Sequence, residues 1–505
     1  MTVTDPAASP PRPGTGGDRS AHETVPLEVL EEIQWRVLWL AVRMVDHANR
    51  HDAGGIKVGG HQASSASMVS VMTALWFGHI GGQDKVAVKP HAAPVYHAIK
   101  YLTGELDRSY LLRLRELGGL QAYPSRTKDP DVADFSTGSV GLGAVAPLFS
   151  ALARRYVDAR FGPRPPARFY ALVGDAELDE GNVWEAIADP ATDGLGNVGL
   201  VVDLNRQSLD RVVPAIQARR LEGFFADAGW HVVEAKYGRR LQTAFAEPGG
   251  EALQRLIDDM PNEQYQALFR LRGPELRAAV TRDADPAAVR LLDRRSDEEL
   301  AELIFDLGGH DLAVLLDAYR RADAVTDRPS VVFAYTIKGW GLPIAGDPLN
   351  HAALLTPDQI DELRARVGLT PETEWDRFDP DSPAGRWCAA VGGEINNEPP
   401  PPRPAVPVPV ETGAGRPGRR RVSTQETFGR VLTALADVDE VARRLVTTSP
   451  DVSISTNLGG WINKTGVFHP VPVDDHGAAD SVLRWAPSPE GHHIELGISE
   501  MNLFL

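Results

Sequence analysis

Three short apolar runs rich in β-branched and aromatic residues, separated by helical patterns, constrain the fold of this chain most. The runs span 169–173, 198–203 and 330–335. Strands that alternate with helices form a parallel sheet covered on both faces, so these runs predict an α/β fold with a parallel sheet. Ligands of such sheets lie beyond the carboxyl ends of the strands. The segments to search therefore follow the three runs: 174–175, 205–207 and 336–339.

Shifts in composition divide the chain into further segments. Residues 1–25 are rich in Pro, Gly, Ser and Asp, lack hydrophobic periodicity and predict a disordered tail. Residues 26–395 hold the three runs and a charged, helical excursion at 249–306, which we expect at the periphery. The Pro-rich segment 396–421 predicts a stiff linker. Residues 422–505 then predict an incomplete second domain, since they fall short of the about 100–150 residues of a typical domain.

Charge and cysteine content narrow the classes of function. The formal charge is −17 over 505 residues, which argues against a nucleic-acid binder or an anionic-membrane binder, because both need clustered Lys and Arg. Cys388 is the single cysteine, so an intrachain disulfide and a cysteine-based zinc site are excluded. We find no apolar run of about 18 residues and no apolar signal core, and we expect a cytoplasmic protein.

Oxygen ligands follow the first two runs. Gly174, Asp175 and Ala176 come after the first, and Asn205 and Gln207 after the second, with Asp175 and Asn205 30 residues apart. One βαβ crossover would place them at neighbouring strand ends. A carboxylate with two amide-type oxygens suits Mg²⁺ or Ca²⁺ better than zinc, and Gly174 permits close approach of a diphosphate. The pattern predicts a metal and diphosphate site, with a structural turn as the alternative.

Further motifs stand in order along the chain: GGHQASS at 59–65, KPHAAPVY at 89–96, TGSVGLG at 137–143, GGHD at 308–311, TIKGWG at 336–341 and ELGISE at 495–500. With them the chain resembles the thiamine-diphosphate-dependent transketolase superfamily, most of all the N-terminal part of the homodimeric pyruvate dehydrogenase decarboxylating component. The resemblance implies a diphosphate-binding domain followed by the start of a pyrimidine-binding domain. It also implies thiamine diphosphate and Mg²⁺ as cofactors.

The resemblance implies cofactor-binding roles for the matched positions. Asp175, Asn205 and Gln207 are expected to hold Mg²⁺, which neutralises the cofactor diphosphate. Other positions are expected to line the cofactor: Gly174, Ala176, Ser139, Val140, Gly141, Leu142, Tyr123 and Lys338. Two positions depart from the pattern of the superfamily. Ala176 replaces a glycine, and Arg206 replaces an apolar residue, so the Arg206 side chain is expected to point away from the core or toward an anion.

The resemblance also implies a set of catalytic residues. Glu500 is expected to hydrogen-bond the aminopyrimidine ring of the cofactor, a task that suits a carboxyl group whose pKa is raised in a dry pocket. His61, His91 and His351 match the active-site histidines of the superfamily. Imidazole titrates near neutrality, so these side chains can donate to a substrate carboxylate or move a proton.

The function implied is decarboxylation of a 2-oxo acid such as pyruvate, with transfer of the acyl unit to a lipoyl or other acceptor. A transketolase-like transfer of a two-carbon ketol unit from a ketose is the first alternative. The second is an incomplete cofactor-binding subunit that acts only with a partner chain, because the sequence ends five residues after Glu500. We expect a homodimer, or a heteromer with a chain that completes the pyrimidine domain. A lipoyl acyltransferase is a further candidate partner.

Overall fold

The computed structural model describes residues 25–50, 59–131, 133–207, 218–396, 421–473, 485 and 487–505. The predicted tail, except for residue 25, and most of the predicted linker lie outside these residues. The division of the chain into domains therefore stays a prediction. None of the helices in the described part combines the length and apolarity that crossing a bilayer requires.

A parallel five-stranded sheet forms the centre of the larger region. Its strands are β1 (Lys85–Ala87), β2 (Phe169–Gly174), β3 (Val198–Leu204), β4 (His231–Ala235) and β5 (Ser330–Tyr335), in the order β1-β2-β3-β5-β4. The three predicted runs are thus strands, and the predicted α/β class is confirmed. In the register of the sheet Gly174 lies beside Asp203, and Leu204 beside Tyr335. The carboxyl ends of the three runs therefore meet at one edge.

Helices cover both faces of this sheet. They are α1 (Leu27–Arg50), α2 (Gln62–Gly78), α3 (Ala93–Leu102), α4 (Arg108–Leu111), α5 (Leu142–Phe161), α6 (Gly181–Ile187), α7 (Ala218–Asp227), α8 (Arg239–Phe245), α9 (Gly250–Asp258), α10 (Asn262–Leu268), α11 (Gly273–Thr281), α12 (Pro286–Leu292), α13 (Asp297–Ile304), α14 (Leu312–Asp323), α15 (Pro357–Arg366) and α16 (Pro383–Ile395). Successive residues of β2 face opposite sides, as a strand requires. Tyr170 and Leu172 join one apolar core with α1 to α3 and α14, while Ala171 and Val173 join the other with α5 to α13.

A smaller parallel sheet follows. It contains β6 (Thr447–Pro450), β7 (Val467–Phe468), β8 (Pro487–Ser488) and β9 (His493–Leu496), in the order β6-β9-β7-β8. Its helices are α17 (Thr424–Leu435), α18 (Asp439–Ala442), α19 (Gly459–Thr465) and α20 (Glu500–Leu503). Polar contacts join the two regions: Asp189 accepts hydrogen bonds from the Gly497 amide at 3.1 Å and the Ser499 hydroxyl at 3.3 Å. The Asn502 side chain donates to the Asn182 carbonyl at 3.0 Å.

Candidate active site

The Asp175 carboxylate lies where β2 ends and is held by backbone amides. It accepts hydrogen bonds from the Ala176 amide at 2.9 Å and the Arg206 amide at 2.8 Å. Burial, and next the negative charge of Asp203, raise the pKa of Asp175 to about 6. Two carboxylates at one buried edge favour a bound cation, because a nearby positive charge would restore the ionised form.

Arg206 shapes the turn that follows β3. Its φ of 62° lies in the left-handed region, an uncommon backbone conformation for a residue with a side chain, which often marks functional sites. In this conformation the Arg206 backbone amide donates its hydrogen bond to the Asp175 carboxylate. The guanidinium lies over the Tyr265 ring, 4.6 Å from its centroid. The side chain that we expected to point away from the core or toward an anion is thus packed on the ring of a buried tyrosine.

A network of amide side chains surrounds the other predicted metal ligands. The Asn205 side-chain oxygen accepts a hydrogen bond from the Gln207 backbone amide at 3.0 Å. The Gln207 side chain accepts from Asn350 and donates to Gln266, both at 3.3 Å. Gln266 in turn donates to the Asn205 carbonyl at 3.2 Å. Because the Gln207 side chain is occupied by Asn350 and Gln266, its backbone carbonyl is the better candidate ligand for a metal.

Gln266 also corrects one expectation about the helical excursion. The segment is helical as predicted, with α9 to α13 lying within or close to it, but it is not simply peripheral. Gln266 and Tyr265 of α10 are both 2% exposed and contact the turn at 205–207. The excursion therefore helps to build the candidate site.

The predicted cofactor turn begins helix α5. Val140 and Gly141 have φ values of 64° and 73°, and Gly141 caps the helix. A Cβ atom on Gly141 would lie 2.6 Å from Val183 Cγ2, so only glycine fits without a shift of the neighbouring side chain. Ser139 and Val140 are exposed, while Leu142 is half-buried at the first position of the helix. The turn thus presents accessible backbone of the kind that a ligand could contact.

Three histidines that are distant in the sequence form one cluster. The His61 ring lies 4.1 Å from the His351 ring and 4.5 Å from the His91 ring, measured between centroids. His61 Nδ1 donates to the His351 carbonyl at 2.8 Å, and this hydrogen bond orients the ring. Burial and the positive charge of Lys89 lower the pKa of His91 to about 3. His91 is therefore neutral at physiological pH and can donate or accept a hydrogen bond.

Tyr123 and Lys338 lie beside this cluster. The Tyr123 ring is 6.4 Å from that of His91, and the residue is 38% exposed. Lys338 is buried, and its charge also contributes to the lowered pKa of His91. Its segment is held by His310, whose Nε2 accepts from the Ile337 amide at 2.8 Å.

Glu500 stands apart from the other predicted site residues. It begins α20 and is exposed, while α20 packs against α6 and β6. The dry pocket that we expect around this carboxyl group is not formed by the described residues of one chain. Its catalytic role stays a prediction.

Sequence reasoning missed two charged residues at the centre of the site. Lys89 Nζ and Asp203 Oδ2 are 2.6 Å apart, and both residues are buried. Two signals could have found them: a carboxylate that ends a buried strand, and a lysine two positions before His91 in a matched motif. Gln266 and Asn350 were missed because nothing local in the sequence marks them.

A cavity of about 540 Å³ opens next to the candidate metal turn. Asp175, Ala176 and Arg206 contribute to its wall, as do Tyr265 and Tyr335. The histidine cluster is not among its lining residues in the described part of the chain. The cavity thus borders the metal turn rather than the histidines.

Comparison with known proteins gives one family match and a consistent set of relatives. The family model described as "Transketolase, thiamine diphosphate binding domain" matches residues 59–247 and 299–378. The gap in this match falls on most of the helical excursion. The "Pyruvate dehydrogenase E1 component" of Corynebacterium glutamicum is 29% identical over 92% of this chain and 54% of that protein. The Escherichia coli protein of the same name is 25% identical over 94% and 56%.

Solved structures show the same fold. A "Transketolase from Leishmania mexicana" matches with a TM-score of 0.61 and 17% identity, covering 94% of this chain and 61% of that one. A transketolase from Campylobacter jejuni matches with a TM-score of 0.58. The chain spans about half the length of the curated relatives that it matches.

Proposed function

Because this chain belongs to the transketolase thiamine diphosphate-binding family, we propose that it binds thiamine diphosphate with Mg²⁺ and decarboxylates pyruvate or a related 2-oxo acid. One observation carries the proposal. The oxygen-rich turns at Asp175 and Asn205 and the histidine cluster are linked through Lys89, which pairs with Asp203 and lies two residues before His91. A cofactor diphosphate and a substrate carboxylate would thus have neighbouring partners.

The donor set fits Mg²⁺. The proposed ligands are the Asp175 carboxylate, the Asn205 side-chain oxygen and the Gln207 carbonyl, all hard oxygen donors of the kind that Mg²⁺ prefers. Asp175 gains most from the metal, because burial and Asp203 disfavour its ionised form. Glu177 Oε1 is buried without a hydrogen-bond partner among the described residues. It would gain from a metal-bound water, a usual feature of magnesium sites.

The chain's own residues would bind and orient the reactants. Thiamine diphosphate, when bound, supplies an electron sink for the carbanion that decarboxylation leaves. His61, His91 and His351 would hold the substrate carboxylate and move protons at their ring nitrogens. His91 would take part through hydrogen bonds as a neutral imidazole, since its pKa is about 3. Lys338 adds a positive charge at the same place.

Glu500 would act only after a second protein surface covers it. Its carboxyl group is exposed in one chain, whereas proton exchange with an aminopyrimidine needs a dry environment. We propose that a second copy of the protein, or another chain, supplies this cover. A lipoyl group is the proposed acyl acceptor.

Ketol transfer between sugars remains the alternative. The resemblance to transketolase structures concerns the fold, since those chains are 17–19% identical. The more similar relatives share the name pyruvate dehydrogenase E1 component over 92–94% of the chain. The 2-oxo acid is therefore the better candidate substrate.

The first experiment measures cofactor binding by calorimetry. Wild-type protein should bind thiamine diphosphate in the presence of Mg²⁺, and Asp175→Asn should bind it at least about 100-fold more weakly, because a charged ligand is lost. Asp179→Asn is the matched control, since Asp179 lies in the same turn but is exposed. Unchanged binding by the Asp175 variant would contradict the metal assignment.

The second experiment identifies the substrate. Carbon dioxide release is measured with pyruvate, with larger 2-oxo acids and with ketose phosphates as the control class. Release from pyruvate that depends on thiamine diphosphate and Mg²⁺ supports the proposal. Ketol transfer from the ketose phosphates without carbon dioxide release would favour the alternative.

A further inference from the structure

Lys89 places a buried ammonium group at the edge of the sheet where the proposed diphosphate site lies. The residue is 8% exposed, and its Nζ is 2.6 Å from Asp203 Oδ2, which is fully buried. Among the described residues Asp203 is the one hydrogen-bond acceptor found for this nitrogen. An ammonium carries three N–H donors, so Lys89 retains donor capacity.

Asp203 does not depend on Lys89 for its hydrogen bonds. It also accepts from the Ser67 hydroxyl at 2.7 Å, from the Asn205 side chain at 3.2 Å and from the Thr336 hydroxyl. A buried ion pair is often no more stable than a neutral pair of similar shape. The charge on Lys89 therefore calls for a reason beyond the stability of the fold.

The position of Lys89 points to that reason. A Cβ atom on Gly174 would lie 3.1 Å from Lys89 Cε and 3.2 Å from Nζ. The ammonium thus lies against the turn that leads into Asp175. On the other side, the chain continues from Lys89 to His91 in the histidine cluster.

We propose that Lys89 is a further diphosphate-binding residue and that Asp203 is the positioning residue that aims its ammonium group. This inference rests on the proposed function, because it assigns a second positive charge to the same diphosphate site. A diphosphate carries more negative charge than one divalent cation neutralises, and a desolvated ammonium beside it is a strong partner. Lys89 thereby supplies a positive charge at this edge of an acidic chain.

The test uses a double variant that leaves the net charge of the protein unchanged. Lys89→Gln with Asp203→Asn removes both charges and retains one hydrogen-bonding pair of similar size. Binding of thiamine diphosphate and of inorganic pyrophosphate, each with Mg²⁺, is measured by calorimetry. We expect both affinities to fall by about tenfold or more, with an unchanged circular dichroism spectrum.

A matched ion pair nearby provides the control. Lys85 and Asp134 are 3.0 Å apart, at the start of β1, with the Lys85 side chain 44% exposed. Lys85→Gln with Asp134→Asn removes the same charges outside the site and should leave both affinities unchanged. Wild-type affinity in the Lys89 double variant would overturn the inference. Failure of the wild-type protein to bind thiamine diphosphate would instead overturn the proposed function.

Asp203→Asn alone gives a second test should the double variant not fold. It keeps the ammonium but removes the carboxylate that aims it, so Mg²⁺-pyrophosphate should raise the melting temperature of this variant less than that of the wild type. A pair with only a structural role predicts an equal rise in both proteins. That result would count against the proposal.

Discussion

At the carboxyl edge of the five-stranded sheet, hydrogen bonds hold three polar side chains in place. Asp175 accepts from the turn at 206, and Asp203 accepts from helix α2 and from Asn205. Beyond β9 of the four-stranded sheet, Glu500 is exposed. The first region has two extensive apolar cores, whereas the second has one small core of buried residues, Leu432, Leu458, Trp461, Ile462 and Val467. The first region therefore organises its polar residues by itself, whereas the second leaves the Glu500 side chain exposed.

The largest effect should come from the small core of the second region. Trp461 is fully buried there, and Trp461→Ala should cost the region about 3–5 kcal/mol of its free energy of unfolding. Hydrogen exchange should show loss of protection in β6 and β9, with β2 and β3 still protected. Phe333→Ala, in the core of the first region, is the reciprocal control. Equal loss in both regions after the Trp461 change would mean that they unfold as one unit.

The next effect tests how tightly the first region is packed. Gly141→Ala should lower the free energy of unfolding by about 2–3 kcal/mol, because the new Cβ meets Val183 and the φ value is positive. Gly368→Ala shares a positive φ, 75°, but meets nothing within 4 Å, and should cost only about 1 kcal/mol. Urea denaturation measures both. Equal losses of stability in the two variants would show that the Val183 side chain moves aside without an energetic penalty.

The third effect is a pH dependence of the stability of the first region, which arises from the buried His310 side chain. Burial lowers the pKa of His310 to about 3 from its usual 6.5. Below pH 6.5 His310 binds a proton in the unfolded chain but not in the folded chain. The free energy of unfolding is therefore highest above this pH and falls as the pH decreases. The loss should reach about 2 kcal/mol at pH 5. Urea denaturation at pH 7, 6 and 5 should show a shallower decline for His310→Gln, whereas parallel profiles would refute the assignment.

The smallest effect on stability should occur at Glu500. Because the side chain is exposed, Glu500→Gln should change the free energy of unfolding by less than about 0.5 kcal/mol. In the assembled enzyme, decarboxylation should nevertheless fall by about 100-fold or more, as expected for loss of a proton-transfer group. Full activity of the variant would exclude the proton-transfer role, and a large loss of stability would show that the carboxyl group is already packed.

The local patterns of the sequence predicted the elements that depend on local chemistry. The runs at 169–173, 198–203 and 330–335 are strands of one parallel sheet, because β-rich runs between helices have few other ways to be covered. The same patterns placed Asp175 and Asn205 at neighbouring strand ends. The sequence spacing of one crossover was enough for that conclusion.

Other predictions came from matched motifs rather than from local patterns. His61, His91 and His351 are separated by up to 290 residues, and only the motifs around them suggested a common site. The structure does bring the three rings together. The role of each ring stays a prediction, as does that of Glu500.

The sequence by itself determined the class of fold, the edge of the sheet that carries the candidate site and the oxygen chemistry of that edge. Only the tertiary structure decided which buried groups complete it: the Lys89–Asp203 pair, Gln266 from the excursion and Asn350 near His351. The physical reason is that a buried charge or amide must find partners wherever the fold brings them. Those partners lie 59 to 143 residues away in the chain, beyond the reach of any local pattern.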